Sequence, residues 1–320
     1  MKTFLIKRIF RGLITIFVAI TITFIALRVM PGDPTTMMLD PRMSEESRQR
    51  LLQDFGLDKG LFVQYILFLK QLIFHFDLGI SFVQRVPVLD IIFSRLPWTL
   101  LLMTVSILIT SLIGIPLGVI AAYRKGTLLD RIINFFSILG IAIFIPWLGV
   151  VLLYYLGLKI PIFPIGGATS VGVEGGVAYF KDAFMHLVLP VVSLTVVHLA
   201  SYVLFMRANM VDVLNEDYIR TARSKGLKEK YVLWRHAVKN AMLPTITMMG
   251  LQIGAIVGGA ILTETIFAYP GIGRLIYEAV QEHDYPILQG TFLILAITVV
   301  IANILTDILY QYLDPKIKFD

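Results

Sequence analysis

The chain has 320 residues, of which 57% are hydrophobic and only 16% are charged, and its mean hydropathy is +0.79. Because soluble domains carry about 25% charged residues, this composition predicts an integral membrane protein. In such a protein a net charge of +6 is expected from Lys and Arg on the cytoplasmic side, so it does not indicate nucleic-acid binding. The absence of cysteine excludes disulfides, thiolate metal sites and cysteine nucleophiles.

Six segments have the roughly 20 mostly apolar residues that a helix needs to cross about 30 Å of hydrocarbon. They cover about 9–28, 98–122, 132–157, 185–206, 242–264 and 287–311. The predicted fold is therefore all-α, with six transmembrane helices. The first segment is similar to a signal sequence but lacks an obvious small-x-small cleavage site before Arg28, so we expect it to be retained as the first span.

The predicted organisation has three parts. Residues 1–29 form the first transmembrane helix with a cytoplasmic N-terminus, residues 30–97 form an extracytoplasmic helical cap, and residues 98–320 form a five-helix core. The core includes a cytoplasmic loop, 207–241, between spans four and five.

The cap contains signals for three helices. Ser44 can cap a helix that Gly56 ends, a second helix is predicted over 61–74, and a third over 87–96 ends before Pro97. The cap is therefore predicted to be a small helical layer and not a second globular domain.

The short loops set the predicted orientation, because Lys and Arg concentrate on the cytoplasmic side. One side holds Lys2, Lys7, Arg8, Arg11, Arg124, Lys125, Arg131, seven basic residues of 216–240, Lys316 and Lys318; the other holds Lys159, Lys181 and Arg274. Both termini and the stretch 216–240 are therefore predicted to be cytoplasmic.

The middle of every predicted span lacks Asp, Glu, Lys and Arg. Because proton- or sodium-driven carriers are expected to place carboxylates in the membrane, this pattern disfavours an ion-gradient-driven secondary transporter. The sequence also lacks a P-loop, an H-E-x-x-H zinc helix and a G-x-S-x-G elbow, so the energy is expected to enter through another subunit.

Span five carries the candidates for a translocation path or gate, namely Gln252, Gly254, Gly258 and Glu264. Gly254 and Gly258 continue a face of small residues that lets another helix approach closely. Glu264 stands at the outer end of the span, and two roles remain open for it: anchoring the following loop or contacting a passing solute.

The stretch "EDYIRTARSKGLKEKYVLWRHAVKN" predicts a short helix over about 216–225, capped by Asn215 and ended by Gly226 in a left-handed conformation. An amphipathic helix over 227–240 is predicted to follow. Its apolar stripe consists of Leu227, Tyr231, Trp234 and Val238. The basic second helix suits anionic lipid headgroups, whereas the capped first helix suits docking to a cytoplasmic partner.

The stretch "EDYIRTARSKGL", with "RHAVKNAMLP" and "ETIFAYPGIGRLIYEAV", resembles the signature loop and fifth span of ABC importer permeases of the dipeptide, oligopeptide and nickel type. The blocks "LRVMPGDP", "RLPWTLLL", "GIPLGVIAA" and "ILYQYLDPKI" extend the resemblance to the B-type permease over almost the whole chain. The general signature has Glu-Ala-Ala where this chain has Arg220, Thr221 and Ala222. The docking role that the resemblance implies is therefore assigned to the helix and the glycine and not to a specific salt bridge with a partner.

This resemblance implies that the short helix is a coupling helix that docks on an ATPase subunit. The implied coupling residues are Glu216, Asp217, Tyr218, Arg220, Thr221, Ala222, Lys225 and Gly226. The chain itself would hold no cofactor and no metal and would not be an enzyme, because ATP and Mg²⁺ bind the partner subunits.

The implied partners are a second homologous permease, two cytoplasmic ATPase subunits, an extracytoplasmic solute-binding protein and membrane lipid, with no nucleic acid. The implied location is a bacterial or archaeal cytoplasmic membrane, which the chain crosses several times. The expected function is import of peptides or a related small solute, and an ion-gradient-driven secondary transporter is the alternative.

Overall fold

The computed structural model describes residues 2–29, 59–173 and 175–313, and within them it describes all side chains except those of 2–5, 247, 250–259 and 309–313. The predicted helix between Ser44 and Gly56 lies outside the described residues.

The α-helices of the described residues are α1 (Lys2–Val29), α2 (Leu61–His75), α3 (Val88–Tyr123), α4 (Leu128–Ala142), α5 (Ile145–Leu152), α6 (Gly176–Leu214), α7 (Asp217–Ser224), α8 (Glu229–Tyr231), α9 (Val238–Ile266), α10 (Ile272–Gln281) and α11 (Tyr285–Leu313). Two π-helical segments, π1 (Leu153–Lys159) and π2 (Val232–Ala237), continue α5 and α8.

The all-α membrane class is confirmed. Within the described ranges, four helical stretches are long and apolar enough to cross a membrane: Ile6–Val29, Val88–Tyr123, Gly176–Leu214 and Tyr285–Ile308. The bent pair Leu128–Ala142 and Ile145–Lys159 brings the number to five if it counts as one span. The predicted fifth span, 242–264, falls within α9, which is one continuous helix of 29 residues.

The predicted third span, 132–157, is not one straight helix. Its two halves meet at 95°, and the residues at the break, Ile143 and Phe144, have ψ angles of 126° and 115°. Pro146 follows in the first turn of α5, where its missing amide hydrogen costs nothing and its fixed φ suits a helix start. The bend therefore arises where the chain restarts a helix at a proline.

The predicted cap helix over 87–96 is wrong as a separate element. Residues 88–123 form the single helix α3, which runs through Pro97 into the second span. A proline inside a helix removes one hydrogen bond, and the long apolar run that follows sustains the helix. By contrast, the helix predicted over 61–74 is confirmed as α2.

The chain divides into two compact units. The first comprises Met1–Pro97 and Gly271–Val300, and in its described part α1 packs against α2. The Thr21 and Tyr65 hydroxyls lie 2.6 Å apart, and Arg28 Nε donates to Gln64 Oε1 at 3.0 Å. These polar contacts tie the short apolar helix α2 to the first span.

Another buried contact in the first unit fixes the start of α11. The carboxylate of Asp284 is fully buried and accepts hydrogen bonds from Ser81 Oγ at 2.5 Å and from the Val83 amide at 3.1 Å. Its other oxygen accepts from the Ile287 amide in the first turn of α11 at 3.3 Å. One carboxylate therefore joins a distant loop to a helix start.

The second unit comprises Trp98–Pro270 and Ile301–Asp320, and α6 is the helix against which α4, α5 and α9 pack. Glycines allow α3 and α4 to approach α6 closely. A Cβ added at Gly118 of α3 would lie 2.7 Å from Met206 Cβ, and one at Gly140 of α4 would lie 2.8 Å from Ala200 Cβ. The glycines of "GIPLG" therefore act as helix-packing positions, as small residues do in membrane bundles.

The close approach at Gly118 generates a stability prediction. Gly118→Ala should lower the free energy of unfolding by about 1–3 kcal/mol, because the new methyl group forces α3 and α6 apart. Gly60→Ala is the control, since Gly60 has a φ of −58° and no described atom lies within 4 Å of the added Cβ. Because Gly60 is the N-cap of α2, where Ala is less favourable than Gly, its loss should stay below about 1 kcal/mol. Thermal denaturation of both detergent-solubilised variants measures the difference; equal midpoints would contradict the packing role of Gly118.

Candidate functional site

The short helix of the charged stretch is α7, Asp217–Ser224, one residue shorter at each end than predicted. Asn215 is not its cap: Glu216 occupies the N-cap position without a side-chain hydrogen bond, and Asn215 Nδ2 instead donates to the Val211 carbonyl oxygen of α6. Thr221 Oγ1 donates back to the Asp217 carbonyl oxygen at 2.9 Å. The helix therefore begins without the side-chain cap that the sequence suggested.

Two residues of α7 attach it to the rest of the second unit. Ile219 is 0% and Ala222 is 7% exposed, and both belong to one buried apolar cluster. The other members of this cluster, here called the coupling core, are Val119, Ala122, Met206, Met210, Val232, Ala237 and Ala241. The coupling core therefore joins α7 to α3, α6, π2 and α9.

Gly226 follows α7 with a φ of +73°, so the predicted left-handed glycine is confirmed. A Cβ added at this position would meet no atom within 4 Å. The backbone conformation, and not a lack of space, therefore requires glycine here.

Two side-chain contacts bridge the glycine turn. Arg223 donates from Nη2 and Nε to the two carboxylate oxygens of Glu229, at 2.7 and 3.3 Å, and Asn240 Nδ2 donates to Tyr218 Oη at 2.9 Å. The hydrogen bond with Glu229 raises the pKa of the Arg223 guanidinium above its usual value. A two-point contact of this kind fixes direction as well as distance, so α7 keeps one orientation relative to α8.

The exposed side of α7 borders a groove of about 310 Å³. Its lining comprises Tyr218, Thr221, Ala222, Lys225, Leu227 and His236. Four of the predicted coupling residues therefore meet at one surface. Glu216, Asp217 and Arg220 are exposed but do not line it, and Arg220 forms only a loose pair with Asp217 at 3.4 Å.

The second amphipathic segment differs from the predicted one. The predicted stripe is largely exposed, with Tyr231 48% and Trp234 49% accessible, while Val232 and Ala237 are fully buried. The reason is π2: a π-helical segment has a wider turn than an α-helix, so a stripe drawn at 3.6 residues per turn misses the buried face. The aromatic residues therefore face outward beside the basic ones.

The sequence did not predict an ion pair between the buried Asp130 and the partly buried Arg207. Asp130, at the start of α4, accepts hydrogen bonds from Arg207 Nε at 2.6 Å and Nη2 at 2.8 Å. Asn134 Nδ2 and the Gly126 amide also donate to this carboxylate, at 2.6 and 2.9 Å. Because 77 positions separate Asp130 from Arg207, no local pattern in the sequence could have paired them.

The predicted path residues lie toward the other end of α9. Glu264 is 0% exposed and accepts a hydrogen bond from Thr99 Oγ1 at 2.7 Å, while its carbonyl oxygen accepts from the Tyr269 amide at 2.8 Å. The carboxylate thus contacts α3, whereas the contact to the following loop is made by the Glu264 backbone, and both roles of the Glu264 side chain stay predictions. Gln252, Gly254 and Gly258 belong to α9, but their side-chain surroundings lie outside the described residues.

The fold and this site define a class: an all-helical, multi-pass membrane protein with a short helix held on a buried cluster beside its long helices. The sequence profile of the family described as "binding-protein-dependent transport system inner membrane component" matches residues 114–319, and the profile of its N-terminal part matches residues 1–103. The chain belongs to this family.

Curated relatives match the chain along almost its whole length. The oligopeptide transport system permease protein AppB of Bacillus subtilis (strain 168) is 39% identical, with 100% of both chains covered. The dipeptide transport system permease protein DppB of Escherichia coli (strain K12) is 37% identical with 99% of both covered, and the glutathione transport system permease protein GsiC of Escherichia coli O6:H1 is 34% identical with 100% of both covered.

A solved structure supports the fold. One chain of the inward-facing methionine ABC transporter MetNI aligns with a TM-score of 0.55 at 16% identity, covering 71% of this chain and 97% of that one. The chain is thus the permease subunit of an ABC importer, a transport component and not an enzyme, and ATP hydrolysis belongs to partner subunits.

The ion pair between Asp130 and Arg207 leads to a stability prediction. Asp130→Ala should lower the free energy of unfolding by about 3 kcal/mol, because it leaves the partly buried Arg207 without its charged partner. Arg220→Ala is the control, since its pair with Asp217 is 70% and 95% exposed and such pairs contribute at most about 1 kcal/mol.

Thermal denaturation of the purified protein measures both effects. The double variant Asp130→Ala/Arg207→Ala should lose less than the sum of the two single losses, because the two side chains interact directly. Additive losses would refute a direct stabilising contact.

Proposed function

We propose that the chain is one of two permease subunits of a peptide importer, and that α7 is the element through which partner ATPases drive it. The observation that carries this proposal is the placement of α7. Its apolar side is buried in the coupling core, its other side is open, and Gly226 fixes where it ends.

The physical argument for coupling is mechanical. Because Ile219 and Ala222 pack against Val119, Met206 and Met210, a displacement of α7 must move α3 and α6 with it or break the buried contacts. Protein interiors are close-packed and transmit displacement. A partner that grips the open groove would therefore act on two membrane-spanning helices at once.

The proposed substrate class is peptides. The support is that the full-length relatives AppB and DppB are named for oligopeptide and dipeptide transport, while GsiC is named for glutathione, itself a peptide. The proposed partners are a second permease, two ATPases that bind ATP and Mg²⁺, and an extracytoplasmic binding protein. None of these relatives is named as a gradient-driven carrier, which was the alternative.

We also propose six membrane crossings, formed by α1, α3, the bent α4–α5 pair, α6, α9 and α11, in a bacterial or archaeal cytoplasmic membrane. Both termini and α7 would then be cytoplasmic, as the distribution of Lys and Arg among the short loops indicates. The remaining proposed roles are docking for the exposed residues of α7, loop anchoring for Glu264, and lining of a path or gate for Gln252, Gly254 and Gly258.

The function is tested in proteoliposomes that contain the complete complex and its binding protein. Uptake of a labelled dipeptide should require ATP inside the compartment that the ATPases face, and a protonophore should not change it. Uptake that collapses with the proton gradient and ignores ATP would overturn the proposal.

The coupling role of the turn is tested by substitution of Gly226. Gly226→Val should reduce ATP-driven uptake by at least about tenfold, because a β-branched residue with positive φ costs about 1–3 kcal/mol and displaces α7. Gly226→Asn should retain more uptake, since Asn tolerates this conformation.

Gly172→Val is the matched control, because Gly172 has a φ of +86° and no atom within 4 Å of an added Cβ, but lies in the loop before α6. This variant should transport normally. Uptake that falls equally in Gly172→Val and Gly226→Val would indicate general misfolding and contradict a specific coupling role.

The orientation is tested by labelling single cysteines, since the natural chain has none. Val171→Cys, at a fully exposed position, should react with an impermeant maleimide from outside intact cells, whereas Ser224→Cys should react only after permeabilisation. The reverse pattern would refute cytoplasmic α7.

A further inference from the structure

A second, shallow groove lies on α8 and the start of π2, separate from the groove beside α7. Its lining comprises Lys228, Lys230, Tyr231, Trp234 and Arg235, and its volume is about 470 Å³. The two grooves share no lining residue. The proposed coupling role of α7 therefore does not account for this second groove.

The charges in this groove are uncompensated. Glu229 is the only acidic residue between positions 227 and 240, and its carboxylate is held by Arg223 at 2.7 Å. In the described part of the chain, Lys228, Lys230 and Arg235 form no ion pair. Three cations thus surround a groove that holds no carboxylate of its own.

The floor of the groove is aromatic and points away from the coupling core. Tyr231 and Trp234 are about half exposed, while Val232 and Ala237 of the same segment are buried on its other side. Helical structure continues from Glu229 to Ile266, so these aromatic rings lie about two turns before Ala241 and the apolar run of α9. Tyr and Trp are enriched at this level of membrane proteins because their rings suit the boundary between water and hydrocarbon.

We propose that this groove is a binding site for a single anionic phospholipid. The phosphate would lie among Lys228, Lys230 and Arg235, and the upper acyl chain would lie against Tyr231 and Trp234. An amphiphile matches both the cationic rim and the aromatic floor, whereas a free anion would leave the aromatic rings exposed. The proposal rests on the proposed function only in assigning this lipid to the cytoplasmic leaflet.

The site has a structural link to α7. Lys228 and Lys230 flank Glu229, which holds Arg223 of α7 across the glycine turn. A lipid held by the two lysines would therefore fix the segment that anchors the coupling helix. The proposal is a site for one lipid molecule at named residues, which differs from a general attraction between basic residues and an anionic bilayer surface.

The test uses Trp234 as the reporter. The chain has three tryptophans, so Trp98→Phe/Trp147→Phe leaves Trp234 as the single tryptophan in the full chain. In phosphatidylcholine bilayers, brominated phosphatidylglycerol should quench Trp234 more strongly than the same mole fraction of brominated phosphatidylcholine. Lys228→Gln, Lys230→Gln and Arg235→Gln should each weaken this preference by about fivefold, the contribution of one cation near an anionic surface.

Lys239→Gln is the matched control, because Lys239 belongs to the same basic segment but does not line the groove. This variant should keep the preference for phosphatidylglycerol. Equal quenching by both brominated lipids, or equal losses in Lys239→Gln and the groove variants, would overturn the proposal. Displacement of the lipid by soluble glycerol phosphate, or by added ATPase subunits, would also overturn it in favour of a free-anion site or a protein-docking surface.

A second measurement decides the question if the double Phe variant does not insert. Native mass spectrometry of the wild-type complex should detect one more retained phosphatidylglycerol than the complex carrying all three Gln substitutions, and Lys239→Gln should match the wild type. Equal lipid numbers in all three complexes would refute the site. Both readouts need neither ATP nor peptide, so their failure is distinguishable from failure of the proposed transport function.

Discussion

The burial of Ile219 and Ala222 in the coupling core is the contact on which the proposed docking surface depends. Full burial of an aliphatic side chain the size of Ile219 stabilises the fold by about 1.5–3 kcal/mol. Helix α7 has only eight residues, so this contact is a large part of what holds it against the rest of the second unit. A helix this short is unstable alone, because isolated helices below about 12–15 residues are marginal in water. The tertiary contact therefore creates the helix as well as positioning it.

The contacts around the coupling core restrict how α7 can move. Arg223 and Glu229 lock the glycine turn, Tyr218 and Asn240 join α7 to the start of α9, and Asp130 holds Arg207 of α6 one residue beyond Met206 of the core. Each contact joins α7 or its support to a different part of the chain. A force applied to the open groove would therefore reach the long helices as a displacement of a connected unit.

The two grooves lie on neighbouring faces of residues 218–236 and differ in the side chains that line them. The groove beside α7 mixes polar and apolar side chains around a helix, which suits a protein partner. The groove on α8 and the start of π2 combines unpaired cations with aromatic rings. The π-helical segment causes the separation, since its wider turn buries Val232 and Ala237 and leaves Tyr231 and Trp234 outward. Such irregular turns are frequent at functional sites.

The sequence by itself determined the features that depend on composition and local conformation. Apolar length predicts the membrane class and where most long helices lie, and the glycine after a short charged helix predicts the left-handed turn at Gly226, because few other residues adopt that conformation. The tertiary structure alone decided which face of 229–241 is buried and that Asp130 pairs with Arg207. Those outcomes depend on packing between distant segments, which a local sequence pattern cannot predict. Asp130 and Arg207 are 77 positions apart, so no helical periodicity relates them. The π-helical turn changes the number of residues per turn, so the stripe predicted at 3.6 residues per turn does not match the buried face.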